Sequence, residues 1–294
     1  MILVLGGSGQ LGQELAARAA AAGVPLTALG HGEADIADPK AMALAIAKAR
    51  PKLIVNAAAY NQVDKAESQP AEAQRANALG PSVAATAARR AGLPFVHIST
   101  DYVFDGEKIG AYREDDPVAP QSVYGRSKAL GEDGVRNGNP QHLILRTAWL
   151  FGAYGSNFVT TVLRLAAERD SLGFVATQHG SPTPTADLAR AILVAAAAIE
   201  RGTAPWGTYH VAGAGSASRY DMAVAIVAAQ EPFTRRHPTV SMVGDGEYPT
   251  AARRPLNSVL DSTKFRSAFG YAPGDWKTGI NRAVAEILRK QAQA

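Results

Sequence analysis

Apolar residues in the first half of the chain come in short unbroken runs, separated by stretches where they recur every three or four positions. Residues 2–5 (ILVL) form such a run, as a strand buried on both faces of a parallel sheet would. Leu11, Leu15, Ala16 and Ala19 then follow at helical spacing. The rhythm repeats. Residues 25–29, 52–56, 94–99 and 143–146 read as further strands, and 39–49, 69–91 and 157–169 as helices. Strand and helix alternating in this way predict an α/β chain with a doubly wound parallel sheet over residues 1–150. From about residue 174 the alternation fades, and prolines at 182, 184, 205, 232, 238, 249, 255 and 273 cut the chain into short elements. Helices are still expected at 187–199, 218–229 and 276–289, the last with Ile280, Val284, Ile287 and Leu288 on one packing face. Residues 151–294 are thus expected to form mainly a smaller α/β substrate lobe, interleaved with the sheet domain.

Ligands of doubly wound sheets lie outside the carboxyl ends of the strands. Three of the expected strand exits carry small or polar residues: Gly6, the run Asn56 to Ala59, and Ser99-Thr100. Together they predict one groove. The first exit reads GGSGQLG over residues 6–12, a G-x-x-G-x-x-G spacing between a strand and a helix. Glycines allow the tight turn and let backbone amides approach a pyrophosphate at the helix N-terminus, which points to a dinucleotide. The second strand exits into Gly30-His31-Gly32, with no acid to take a ribose 2′-hydroxyl and repel a 2′-phosphate. His31 is either the group that faces such a phosphate or a plain loop residue. NADPH is expected on this basis, with NADH as a substitute. Asp38 before Pro39 is expected to cap a helix, and Asp35 and Ile36 to lie nearer an adenine ring.

Composition removes several classes. With 294 residues, 47% hydrophobic and 19% charged, the chain can bury a large core and is not of disordered type. A net charge of +4 with scattered Lys and Arg argues against a nucleic-acid surface, yet suits an anionic substrate. There is no cysteine, so disulfides and thiolate metal sites are excluded, in keeping with a reducing cytoplasm. The N-terminal apolar run is too short for a signal peptide, and Ala191 to Ile199, flanked by Arg190 and Glu200, is too short to span a membrane. A cytoplasmic protein without a membrane partner is expected.

Candidate chemistry gathers around Tyr124 and Lys128. Four residues apart on a helix, they share a face. A neighbouring ammonium would lower the phenol's pKa and make it a usable proton donor. Thr100 could add a hydroxyl from the end of the strand at 94–99. The same spacing also describes a solvated helix face. Arg253-Arg254-Pro255 could clamp a diphosphate through bidentate contacts, or lie in a solvated loop, and Arg235-Arg236-His237 reads as surface.

In order, GGSGQLG, DIAD, NAAAYNQVDKAE, HISTDYVFDG, YGRSK, LRTAWLFG and RRPLNS cover the chain from Met1 to about Leu288. With these motifs the chain resembles the extended short-chain dehydrogenase/reductases, and among them the dTDP-4-dehydrorhamnose reductases. The resemblance implies a Rossmann-type fold and NAD(P)H-dependent reduction of the C4 keto group of dTDP-4-dehydro-L-rhamnose, or of a related nucleotide sugar. It implies Tyr124 as proton donor, Lys128 as the lysine that acidifies it and binds ribose, and Thr100 as a hydroxyl holding the carbonyl. Gly6, Gly9, Gln10, Leu11 and Gly12 match the pyrophosphate loop, Asp35 and Ile36 the adenine contacts, and Ala57, Ala58 and Ala59 the segment beside the nicotinamide ribose. Trp149 matches a tryptophan near the hexose; Asp101, Asn157 and Arg254 are further expected substrate contacts.

Departures from the pattern are Asn61 in place of a threonine and Thr177 in place of an acid. Some relatives form a homodimer through magnesium held by glutamates. Glu14 and Glu286 match two of those positions but the third falls on Ala186, so no metal is expected, with a homodimer still allowed. Alternatives are an epimerase or 4-ketoreductase for another nucleotide sugar, and a silent regulatory subunit. Dehydratases of the superfamily add acids beside the catalytic threonine; here Thr100 is followed by Asp101-Tyr102, which favours simple reduction.

Overall fold

All five expected strands of the first half become neighbours in one sheet. The computed structural model describes residues 1–247 and 249–293. Its first half runs β1 (Ile2–Leu5), α1 (Gln10–Ala21), β2 (Leu26–Leu29), α2 (Pro39–Ala49), β3 (Leu53–Asn56), α3 (Val63–Ser68), α4 (Pro70–Gln74), α5 (Gly80–Arg90), β4 (Phe95–Thr100), α6 (Val123–Gly138) and β5 (His142–Thr147). The second half runs β6 (Leu150–Phe151), α7 (Phe158–Glu168), β7 (Ser171–Val175), β8 (His179–Gly180), β9 (Thr183–Pro184), α8 (Thr185–Glu200), β10 (Gly207–His210), α9 (Arg219–Thr234), β11 (Thr239–Val243), β12 (Asn257–Ser258), α10 (Thr263–Phe269) and α11 (Trp276–Gln293).

The main sheet is all parallel in the order β10-β5-β4-β3-β1-β2. Continuous apolar runs serve it because successive side chains face opposite layers. Val4, Val55, Val96 and Leu145 pack under Leu15 of α1 and Leu188 and Ile192 of α8. Leu3, Leu5, Ile54, Phe95 and Ile144 face the other way, against Met42, Ala84, Ala88 and Val135. The strand order reverses between β1 and β3, which opens a crevice at their carboxyl ends. There the glycine turn lies on the exit of β3: a Cβ on Gly6, whose φ is +83°, would stand 2.6 Å from the Ala58 nitrogen. Only glycine fits.

Two segments beyond residue 150 belong to this layer. β10 adds a sixth strand beside β5, and α8 covers α1. The strand was not anticipated, because Gly207-Thr-Tyr-His210 has no apolar run; at a sheet edge it needs none. A second core collects Val162 of α7, Met222 and Ile226 of α9, and Trp276, Ile280, Val284 and Ile287 of α11, with Leu288 partly buried beside them. Among the described residues no helix is long and apolar enough to cross a membrane.

The single helix expected over 69–91 is instead α4, a π-helical turn at Arg75–Leu79, and α5. The wide turn aims the buried Asn77 side chain inward. Its Oδ1 accepts from the Tyr60 N–H at 2.8 Å, and its Nδ2 donates to the Tyr60 carbonyl and the Ser127 hydroxyl, each at 3.0 Å. The β3 exit is thereby tied to α6. Asp38 caps α2 as expected, accepting from the Lys40 N–H.

Candidate active site

Tyr124 and Lys128 lie one turn apart in α6, with the buried face of that helix turned to β4. The helix comes close because Gly125 has no side chain: a Cβ there would stand 2.2 Å from the Tyr102 carbonyl oxygen. Thr100 ends β4, so its hydroxyl and the Tyr124 phenol share the groove. The Thr100 hydroxyl donates to Asp101 Oδ1 at 2.8 Å and accepts from the Tyr102 N–H at 3.2 Å. The solvated-face alternative is removed by burial: Tyr124 is 8% and Lys128 2% exposed.

The electrostatics correct one expectation. Burial pushes the Tyr124 phenol above its ordinary pKa, and a hydrogen bond with Thr100 offsets only part of this. In the free chain burial outweighs the help the spacing suggests from Lys128, whose Nζ donates to the Ile98 carbonyl at 2.6 Å. Desolvation lowers Lys128 to about 8, and the charge of Glu132 opposes that shift. Glu132, one further turn along α6, was missed. Burial raises its carboxyl, but Arg146, Ser99 and Arg136 together hold it below the usual range. Ser99 Oγ donates at 2.6 Å, Arg146 Nε at 2.8 Å and Nη2 at 2.7 Å, and Arg136 Nη2 at 2.6 Å. The i+4 spacing from Lys128 was the available clue. Asp101 is buried and raised to about 6 by desolvation, against hydrogen bonds from Ser258 and Thr100.

At the expected cofactor end, α1 begins at Gln10 behind Gly9 with no side-chain cap, and Gln10 Oε1 is buried without a partner. Leu11 and Gly12 are buried in the first turn, and a Cβ on Gly12 would stand 2.4 Å from the Gly6 oxygen. Ala57, Ala58 and Ala59 leave β3 half-buried. The exit of β2 departs from expectation: Glu33 folds back so that its Oε2 accepts from the Gly30 N–H at 2.8 Å, which places a carboxylate where the sequence suggested none. His31 is exposed in the same turn. The Asp35 carboxylate accepts from Arg75 at 2.6 Å, which lowers its pKa, and Ile36 is buried beneath Gly80.

Across the groove lies a cleft of about 750 Å³ lined by Asn61, Tyr102, Trp149, Phe158, Arg219 and Arg254, among others. Arg254 does reach it: Nη1 donates to the Tyr102 hydroxyl at 2.9 Å and Nη2 to Asp64 Oδ2 at 2.5 Å. Trp149 is held at φ +47°, a left-handed conformation unusual for a side chain of this size, with its indole packed against Gly180. Stacked on that indole at 3.8 Å from its centroid, and 4.9 Å from Phe158, is the guanidinium of Arg219, with no carboxylate partner among the described residues. Desolvation lowers Arg219 to about 10. As a single arginine at the start of a helix it gave no sequence signal. Both arginines also border an adjoining apolar cleft of about 480 Å³ that contains Phe158, Leu172 and Phe174.

Asn157 is not among the residues brought together. Its Oδ1 accepts from Val159 and Thr160 N–H and its Nδ2 donates to the Gly152 carbonyl, so the side chain is taken up in capping α7. Glu14 engages Arg18 and Thr185, and Glu286 engages Lys290. Among the described residues no group of three or more His, Asp or Glu is arranged to hold a metal.

Known proteins resemble the chain over nearly its whole length. A dTDP-4-dehydrorhamnose reductase of Aggregatibacter actinomycetemcomitans is 43% identical over 291 residues, covering 97% of this chain and 99% of that one. The crystal structure of a dTDP-4-dehydrorhamnose reductase from Clostridium acetobutylicum superposes with a TM-score of 0.89 at 36% identity, covering 100% and 99% of the two chains. The enzyme of the same name from Bacillus anthracis, solved in complex with NADP, gives 0.89 at 34% identity over 97% and 98%. The family model described as the RmlD substrate binding domain matches residues 1–289. On nearly the whole of its length, then, the chain belongs to the RmlD family.

Proposed function

We propose that this chain is a ketoreductase that reduces the C4 keto group of dTDP-4-dehydro-L-rhamnose to dTDP-L-rhamnose, with NADPH as reductant and NADH as a substitute. The observation that carries this reading is the convergence of Thr100, Tyr124 and Lys128 at the carboxyl end of β4, with Tyr102 linking Tyr124 to a cleft that holds two arginines. The names of the relatives supply the sugar. Residues 1–150 would hold the dinucleotide, and the pocket formed mainly by 151–294 the nucleotide sugar. A cytoplasmic location goes with this reading, in keeping with the absence of cysteine.

The residues present fit a dinucleotide. The uncapped amides of α1 and the orphaned Gln10 Oε1 form a polar cradle at the positive end of a helix. Gly6, Gly9, Gln10, Leu11 and Gly12 would hold the pyrophosphate, Ala57, Ala58 and Ala59 the nicotinamide ribose, and Asp35 and Ile36 would lie at the adenine. When bound, a reduced nicotinamide supplies hydride. Tyr124 donates its phenolic hydrogen bond to the carbonyl oxygen, and Thr100, once its hydroxyl turns from Asp101 to the substrate, donates a second. As carbon gains its hydrogen, Tyr124 gives its phenolic proton to the oxygen, and the positive charge of Lys128 stabilises the phenolate left behind. Arg219 and Arg254 meet the diphosphate with forked donors, and Trp149 packs beside the hexose.

The test is to supply dTDP-4-dehydro-L-rhamnose with NADPH or NADH and identify the product sugar by NMR. Stoichiometric oxidation of the cofactor with formation of dTDP-L-rhamnose is expected. An isomerised sugar without net cofactor consumption would make the chain an epimerase instead.

The free chain also sets a pH profile. Below about 6 Asp101 gains a proton and stops being a pure acceptor for the Thr100 hydroxyl; above about 8 Lys128 loses its charge. kcat/KM, which reports the free enzyme, is expected to plateau between those limits and fall on either side. In Lys128→Arg the alkaline fall should move to higher pH, since a guanidinium keeps its charge. An alkaline limb unmoved by that substitution would detach it from Lys128.

A further inference from the structure

The VDKAE stretch, residues 63–67, opens α3, and no step above uses it. Its two acids engage opposite halves of the site. Asp64 Oδ2 accepts from Arg254 at 2.5 Å, and its Oδ1 accepts from the Ala252 N–H at 3.1 Å, so one carboxylate holds both the guanidinium and the segment that carries it. Glu67 Oε1 accepts from the Val123 N–H at 2.8 Å. Val123 is the first residue of α6 and directly precedes Tyr124. The cap residue Ser122 takes the Gly125 N–H, which leaves the Val123 donor to Glu67, and a carboxylate at this end also meets the positive pole of the helix. The two halves meet again at Tyr102. Its hydroxyl accepts from Arg254 at 2.9 Å, and its ring stands edge-on to Tyr124, with centroids 5.7 Å apart at 77°. The contacts close a ring: α3, Arg254, Tyr102, Tyr124, α6 and back to α3.

We propose that α3 is a brace joining substrate capture to proton transfer, with Asp64 and Glu67 as positioning residues. Asp64 keeps Arg254 aimed into the cleft for the diphosphate, and Glu67 fixes the start of α6 and with it the placement of Tyr124. For turnover this rests on the ketoreductase reading; for Asp64 it rests only on binding of a nucleoside diphosphate. The bland alternative is that both acids merely staple down a helix of 6 residues, which has little stability of its own. A staple would lower the melting temperature and spoil kcat and KM together.

The experiment uses the full chain and measures kcat, KM, melting temperature and, by calorimetry, the Kd for dTDP alone. Asp64→Asn keeps an acceptor for Ala252 but loses the charge that holds Arg254; Kd for dTDP and KM should rise about tenfold with kcat unchanged. Glu67→Ala should lower kcat about tenfold while leaving Kd for dTDP unchanged, because small misplacements of a catalytic group are expensive. Glu67→Gln retains a carbonyl acceptor and should restore kcat. The brace is overturned if kcat and KM move together in each variant, if neither moves, or if glutamine rescues no better than alanine. An unsubstituted chain without turnover overturns the ketoreductase reading and the Glu67 half with it; the Asp64 half is then decided by the Kd for dTDP.

Discussion

Replacing Tyr124 by phenylalanine is expected to lower kcat by at least about a hundredfold, the lower range for loss of a general acid. The substitution is close to isosteric, so the edge-on contact with Tyr102 and the packing of α6 stay in place, and only the hydroxyl is removed. KM for the sugar nucleotide should change little, because the charged contacts of Arg219 and Arg254 with the diphosphate outweigh one hydrogen bond to the carbonyl, and affinity for the cofactor should change little as well. The position of the proton makes the effect large. Burial holds the phenol protonated throughout the neutral range, so Tyr124 is loaded as an acid before substrate arrives. Thr100, whose hydroxyl is already donated to Asp101, is poorly placed to replace it. Initial rates at saturating substrate and cofactor decide the matter, and near-normal turnover would remove Tyr124 from the chemistry.

Arg219→Ala and Arg254→Ala are each expected to raise KM for the nucleotide sugar by about tenfold to a hundredfold, the range for a charged hydrogen-bonding partner. kcat should stay near the unsubstituted value, since these contacts are made in ground and transition state alike. The larger effect should come from Arg219. Arg254 already shares its charge with Asp64, whereas Arg219 lies stacked on Trp149 with no carboxylate partner among the described residues. A desolvated cation that makes no direct ion pair, and feels Asp101 only through its longer-range charge, gains most from an arriving diphosphate. An unchanged KM in both variants would rule out the clamp.

Much of this site could be read from the sequence where chemistry is local. The glycine turn, Thr100 at the end of β4 and the Tyr124–Lys128 pair are set by a few consecutive residues, and apolar runs marked the interior strands β1, β3, β4 and β5, because strands buried on both faces need apolar sequence. What escaped depends on distant partners. β10 is half polar and is a strand only because β5 offers it an edge. Glu33 was passed over because it follows the turn, yet its side chain returns to the Gly30 N–H. α3 carries no side-chain cap and gains its contacts from residues 56 and 190 positions away in the chain. Asn157 had the polarity of a ligand contact and the position of a helix cap, and the cap claimed it. The backbone of Trp149 could not have been foreseen, since nothing in its neighbours asks for a left-handed tryptophan.

The π-helical turn at Arg75–Leu79 bears on which changes in length the chain can absorb. Such a turn is an insertion of one residue that a helix has kept instead of expelling into a loop. Each residue advances a helix by about 100°, so deleting one here would restore regular winding and swing Asn77 out of the junction between Tyr60 and Ser127. Glycines on both sides hold the phase. A Cβ on Gly80 would collide with Ile36 at 2.6 Å, and one on Gly131 with the Asn77 carbonyl oxygen at 2.0 Å. The outer face of α4 and α5 is therefore free to vary in sequence but not in length, because its residue count sets how the exit of β3 meets the helix that carries Tyr124.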